Sequence, residues 1–189
     1  MSIPVPPQSA KLVISLFLKD KNILSSVAKD LEKKFGQIDI ISSWFPFDYT
    51  QYYQREMGAP LFKRVLAFKR LIRQSDLSKI KLATNACEQN YLKHGKRLVN
   101  IDPGYMIHAR FVLATGKNYT HRIYIGKGIY ADLTLIYTEG GFQKLPWTYP
   151  DYSDEKMLIF LTKVRQKYSL DLKSDGFVKK QKFQHKERR

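Results

Sequence analysis

Leu12-Val-Ile-Ser-Leu-Phe-Leu18, followed closely by Leu24, Val27, Leu31 and Phe35 at helical spacing, decides how this chain must fold. The short apolar run predicts a buried strand, and the switch to a 3.6-residue period predicts a helix over residues 21–35. Gly36 is placed to end that helix. Ile38-Asp-Ile-Ile41 then begins a second strand, and Phe62 to Arg70 supplies a third. Ser75 reads as the cap of a helix running to about His94, with Ile80, Ala83, Cys87 and Tyr91 as its apolar stripe. Gly95 stops it, and Leu98-Val-Asn-Ile101 is the fourth strand. The order β-α-β-β-α-β over residues 12–101 predicts an α+β protein with a ferredoxin-like core, two helices on one face of an antiparallel sheet.

Working outward, Pro4, Pro6 and Pro7 make residues 1–10 an extended lead-in. The aromatic, Pro-broken stretch from Ser43 to Tyr53 reads as a structured loop. Asp102 and Pro103 read as an N-cap and first helical residue, opening a short helix through Ala114 that Gly116 closes. Next, apolar Ile123, Ile125, Ile129, Ala131, Leu133 and Leu135 alternate with Arg122, Tyr124, Tyr130, Asp132 and Thr134, the pattern of a hairpin. A three-residue turn at Gly126-Lys127-Gly128 puts Tyr124 opposite Tyr130 and Arg122 opposite Asp132. A turn at Gly140-Gly141 leads to a short strand ending at Leu145. Pro146 to Tyr152 crosses the surface, and Ser153 caps a last helix docked by Met157, Leu161, Val164 and Tyr168. One domain is predicted over residues 11–174, followed by a tail at 175–189. Lys179 to Arg189 carries six cations and one anion, a composition that predicts a tail without structure.

With 189 residues, 43% of them hydrophobic, the chain can build one good core and is short for two domains. Lys and Arg outnumber Asp and Glu by 33 to 17, a net charge of +16, which calls for an anionic partner or serves solubility alone. The single cysteine, Cys87, excludes an internal disulfide, and no secretory signal or membrane-length apolar run is visible, so a cytoplasmic protein is expected.

Chemistry concentrates between Asn100 and Pro150. Arg122 and Asp132 form a cross-strand ion pair at least, and beside Tyr124 and Tyr130 they can also be a face for a planar or anionic ligand. Asp102 serves as a cap or, held by capping geometry, as a general base or metal ligand. His94, His108 and His121 match no metal-binding spacing, so neither metal nor cofactor is expected. His121, at a strand start, is the proton-transfer candidate or else an idle surface imidazole. Gly116-Lys117 and Gly126-Lys127-Gly128 lack the full phosphate-loop string and read as turns. Cations at Lys63, Arg64, Lys69, Arg70, Arg73, Lys79, Lys81, Lys93, Lys96 and Arg97, with aromatics nearby, suit single-stranded nucleic acid, although no ribonucleoprotein motif accompanies them.

Pro46-Phe-Asp48 with Tyr52-Tyr53 and Glu56-Met-Gly58, Asn100-Ile-Asp-Pro-Gly-Tyr105, His121-Arg-Ile-Tyr124, Gly128-Ile-Tyr-Ala-Asp132 and Pro146-Trp-Thr-Tyr-Pro-Asp-Tyr152 together resemble an uncharacterised bacterial family, the domain of unknown function 4416. The resemblance covers nearly the whole chain and implies no established activity. The residues themselves support binding of a phosphate-bearing partner, RNA or a nucleotide, through Tyr105, Arg122, Tyr124, Lys127, Tyr130, Asp132, Trp147 and Tyr149. The alternative is a small enzyme acting on a phosphorylated metabolite, with His121 and Asp102 as acid and base. A third reading, a protein-interaction module, requires Trp147, Tyr149 and Tyr152 to form an exposed patch with no cleft beside it.

Overall fold

The computed structural model describes residues 2–49 and 53–186, with side chains for all of these except Arg55 and residues 175–186; Tyr52 of the family-like string lies outside the described residues. In chain order the elements are β1 (Ala10–Leu18), α1 (Leu24–Phe35), β2 (Ile38–Ile41), β3 (Phe45–Phe47), α2 (Gln54–Met57), β4 (Leu61–Ile72) and α3 (Leu77–Gln89). The small hairpin β5 (Leu92–Lys93) and β6 (Lys96–Arg97) precedes β7 (Val99–Ile107), β8 (Arg110–Thr115), β9 (Arg122–Tyr124), β10 (Tyr130–Thr138), β11 (Gly141–Lys144) and α4 (Glu155–Lys186). Nine strands make one sheet in the order β11-β10-β8-β7-β1-β4-β2, with β3 also on β4 and β9 also on β10. All of its pairings are antiparallel.

Every residue of β1 is buried, which is why its sequence is an apolar run without alternation: the sheet is covered on both faces. Leu12, Ile14, Leu16 and Leu18 pack with Val27, Leu31 and Phe35 of α1 and Leu77, Ile80 and Cys87 of α3. Val13 belongs instead to the core under α4, with Val65, Met106, Phe111, Met157, Leu161 and Val164. Three long helices thus sandwich the antiparallel sheet, an α+β arrangement. The predicted stripes of α1 and α4 are the ones used, and Gly36 ends α1 at φ 92°.

Several local readings are corrected, among them the Ser43–Tyr53 loop, which contains strand β3 paired with β4. Residues 102–114 are no helix: β7 and β8 form a hairpin there, turning at His108-Ala109, so Asp102 caps nothing and lies opposite Ser15 in the β1–β7 ladder. Pro103 fits a strand because of where the ladder is incomplete. The Ile101 amide donates to Glu88 at 2.6 Å and its carbonyl accepts from Lys81 at 2.9 Å, so that side of β7 faces α3 side chains instead of a strand. Pro103, two residues on, turns its missing N–H to the same side, before β8 begins to pair at Gly104–Leu113. At Gly104 itself a Cβ would lie 2.5 Å from the Val112 carbonyl, so only glycine permits the close approach of β8.

The helix α3 starts at Leu77 after a 3-10 turn, with no cap from Ser75, and ends at Gln89 before the β5–β6 hairpin. At α4 the side chain that takes the first amides is Asp154, from Lys156 and Met157, and not Ser153. That helix is recorded through Lys186, so residues 175–186 continue it, and residues 187–189 lie outside the described residues. The hairpin register is as expected, with Tyr124 opposite Tyr130 and Arg122 opposite Asp132. Among the described residues no helix is long and apolar enough to cross a membrane.

Candidate functional site

Beyond Gly104 and Leu113 the strands β7 and β8 part, because the end of β8 stays with β10 while the start of β7 stays with β1. The gap opens into a cavity of about 630 Å³. Asn100 and Asp102 line it from β7, Leu113 to Lys117 from the end of β8, and Phe17 and Phe47 from β1 and β3. Tyr119, His121 and Arg122 close one side, and the segment Trp147 to Tyr152 closes another. This volume lies within the range of small-ligand pockets, and the mixture of rings with a few charged groups is their usual lining.

His121 stands in a short column of rings, 5.0 Å from Trp147 at an interplanar angle of 12° and 6.2 Å from Tyr119 at 23°. Its Nε2 is 3.2 Å from Asp132 Oδ2. An ionised carboxylate only accepts, so Nε2 carries the proton there and Nδ1 is the basic nitrogen. Asp132 is buried and also accepts from Arg122 Nε at 2.9 Å and from the Thr134 hydroxyl at 3.2 Å. Arg122 in turn donates to the Lys117 carbonyl at 3.0 Å and to the Tyr149 hydroxyl, and its guanidinium lies 4.6 Å over Tyr119. Burial pushes the Tyr149 phenol up, and the Arg122 charge opposes the rise. The loop that carries these rings is anchored, since Trp147 Nε1 donates to the Leu133 carbonyl and the Thr148 hydroxyl to that of Thr134.

A polar network lies across the cavity. Lys81 of α3 donates to Asp102 Oδ1 at 2.9 Å, and Asn100 donates to Asp102 Oδ2 at 2.7 Å. Arg97 reaches Asn100 and Glu88 and grips Glu56 with two parallel bonds of 2.7 Å. That grip holds the Glu56 carboxyl below its ordinary value and raises Arg97. Burial dominates at Glu88 and pushes its carboxyl up. Behind the wall, fully buried Lys63 pairs with Asp151, which lines the cavity, and its ammonium lies 3.4 Å from the centre of the Tyr152 ring. Burial lowers the Lys63 amine, and the Asp151 charge opposes that shift. Tyr152, pushed well up by its own burial, shares a 2.5 Å hydrogen bond with Ser15.

Of the residues singled out from sequence, the fold brings His121, Asp102, Arg122, Trp147 and Tyr149 to this one cavity. Asp132 stands behind it as the partner of His121 and Arg122. Tyr105 is in the core between sheet and helices, while Tyr124, Lys127 and Tyr130 sit on the β9–β10 hairpin outside the lining. Tyr152 is buried, whereas Trp147 and Tyr149 are partly exposed and line the cavity. Asn100 and Asp151 were not singled out as site residues, and Lys81 and Arg97 were named only as part of a basic surface, not of this cavity. A signal existed for Lys81: it and Glu88 lie seven apart on the face of α3 that also buries Leu77, Ile80, Thr84 and Cys87, and charges on a buried face need partners. Among the described residues no three His, Cys, Asp or Glu side chains come together as a metal would require.

Fold and site together define an α+β protein with a nine-stranded antiparallel sheet and an aromatic, charge-lined cavity where two strands part. The family described as Domain of unknown function (DUF4416) matches residues 8–168, and the chain belongs to it. No curated protein and no solved structure matches the chain.

Proposed function

We propose that the protein is a cytoplasmic binder of a small phosphate-bearing ligand with a planar ring, a nucleotide or a phosphorylated metabolite, seated in the cavity between β7 and β8. The observation that carries this reading is the lining itself: Lys81, Arg97, Lys117 and Arg122 face two carboxylates, Asp102 and Asp151, among walls of Trp147, Tyr119, Tyr149 and Phe47. Lys81, Arg97 and Arg122 each meet a carboxylate already, so the support for an anion lies in the grouping of ammonium and guanidinium donors in one sheltered cavity, and the rings offer area for a flat group. The strand order β7-β1-β4-β2 supports a ferredoxin-like reading of the core, an arrangement that hosts many chemistries and selects none.

His121 favours a second reading in which the bound metabolite is also transformed. With Nε2 held on Asp132, Nδ1 is a base of suitable type, and Asp102 lines the same cavity as a carboxyl partner. Thermal unfolding in the presence of nucleoside phosphates, sugar phosphates and inorganic phosphate tests binding directly. A raised midpoint with one of these classes is expected, reduced about tenfold in affinity in His121→Asn and Trp147→Ala. If no class moves the midpoint at low salt, the cavity is not an anion site. Turnover of the bound compound, lost in His121→Asn while binding persists, separates the enzyme reading from binding alone.

A further inference from the structure

Most of the part-buried or buried cations of this protein meet a carboxylate: Lys11, Lys63, Lys81, Arg97 and Arg122 are all so paired. Arg64 is different. Its neighbour in sequence, Lys63, points into the core under α4, so Arg64 and Phe62 share the opposite face of β4, across from Leu16 and Leu18 of β1. There the Arg64 guanidinium lies 4.8 Å over the Trp44 ring. Lys21, three residues beyond the end of β1, places its ammonium 3.8 Å over Phe62 and 5.4 Å over the same Trp44. Trp44 and Phe62 meet edge to face at 6.4 Å.

Two cations thus share an indole, and among the described residues no carboxylate pairs with either. Arg64 Nε is sealed from solvent without an acceptor. Burial lowers the guanidinium from its ordinary value, and no acidic group opposes the shift. A partly desolvated cation left without an anion costs free energy, which an incoming anion recovers. None of these four residues lines the cavity between β7 and β8.

We infer that Lys21, Trp44, Phe62 and Arg64 form a second binding site, separate from the cavity, that takes a backbone phosphate and an adjoining base of a single-stranded nucleic acid. The two cations supply the phosphate contacts, and the Trp44–Phe62 pair with the guanidinium plane supplies flat surface for a base. A free phosphate uses only the first half of this arrangement. The net charge of +16 adds long-range attraction for a polyanion.

The chain holds two tryptophans, Trp44 and Trp147, so each site has its own fluorescent reporter. In Trp147→Phe the remaining emission comes from Trp44 alone. Titration with a short oligouridylate at about 50 mM salt quenches that emission, and affinity falls steeply toward about 200 mM. The double variant Lys21→Gln/Arg64→Gln, checked for an unchanged unfolding midpoint, binds about tenfold more weakly. Its log–log salt slope is shallower by about 0.7, the loss of one single-strand phosphate contact. Unchanged Trp44 emission at low salt overturns the inference, as does equal affinity in the double variant. Quenching of the same size by inorganic phosphate at matched phosphate concentration assigns the site to free anions and overturns the nucleic-acid assignment.

Discussion

Lys11 and Lys63 are both fully buried lysines on the α4 side of the sheet, yet they stand at opposite ends of the β1–β4 ladder in opposite circumstances. Lys11 donates to Asp39 at 3.0 Å, Asp171 at 2.6 Å and the Phe68 carbonyl at 2.9 Å, so its three donors have three acceptors from β2, α4 and β4. Such an ammonium is a lock: it ties the last helix to the sheet and has nothing left to offer a ligand. Lys63 has one carboxylate, Asp151, and for the rest the faces of Tyr152 and Phe17. Its partner lines the cavity, whereas neither partner of Lys11 does. The difference lies in how completely the chain satisfies a buried charge, and it separates the closed end of the sheet from the end that borders the cavity.

Removing one carboxylate at each end is the strongest way to break this comparison. Asp151→Ala leaves Lys63 buried without a counter-ion, and loss of one partner of a buried pair costs about 3–5 kcal/mol. Asp39→Ala removes its pairs with Lys11 and Lys167 but leaves Lys11 with Asp171 and a carbonyl and Lys167 with Asp171, so a smaller loss of about 1.5–3 kcal/mol is expected. Urea denaturation measures both. Lys63→Met in the Asp151→Ala background restores part of the loss, because an apolar side chain no longer needs the missing charge. Equal losses at the two ends remove the distinction between lock and site.

A subtler contrast exists within the cavity network, where Arg97 binds two carboxylates shifted in opposite directions. Glu56 is held below the ordinary 4.5 by Arg97, so its contribution is present above 4.5 and is lost as pH falls through its folded value. Glu88 is raised above 4.5 by burial, so its contribution is present below 4.5 and is lost as pH rises through its folded value. Plotted as stability against pH on the acid side, Glu56→Gln therefore gives a shallower rise than the parent protein and Glu88→Gln a steeper one. Urea midpoints taken across the acid range check this, and a change of the same sign in both variants contradicts the assignment.

These contrasts also mark what the residues alone could convey. The Arg122–Asp132 pairing was legible because β9 and β10 alternate strictly, and a period of two fixes both register and face. The stripes of α1 and α4 were legible for the same reason at a period of 3.6. Between Asp102 and Ala114 the signal fails: β7 and β8 are buried on both faces, so Tyr105-Met106 and Phe111-Val-Leu-Ala114 run without alternation and fit a helix equally well. Asp-Pro then tips the reading toward a cap, and the His108-Ala109 turn lacks the Gly or Asn that would announce a hairpin. The cavity was hidden by that error, since it exists only because β7 and β8 part. Asp102 and His121 could be named as candidates, but Lys81, Arg97 and Asp151 join them through contacts 21 or more residues apart, or across to α2 and β4.

The smallest expected effect tests where the site ends. Tyr124 and Tyr130 face each other on the hairpin with ring centres 5.4 Å apart, and Tyr124 is 59% exposed. Cross-strand pairs of this kind contribute about 0.2–1 kcal/mol, so Tyr124→Ala lowers stability by no more than about 1 kcal/mol. Because Tyr124 does not line the cavity, the midpoint shift given by a cavity ligand stays the same in this variant, while His121→Asn, three residues earlier and just before β9, reduces it. The two substitutions thus divide the aromatic surface into a part that meets the ligand and a part that only holds the hairpin. A ligand response lost in Tyr124→Ala but kept in His121→Asn reverses that division and moves the site from the gap between β7 and β8 to the outer face of the hairpin.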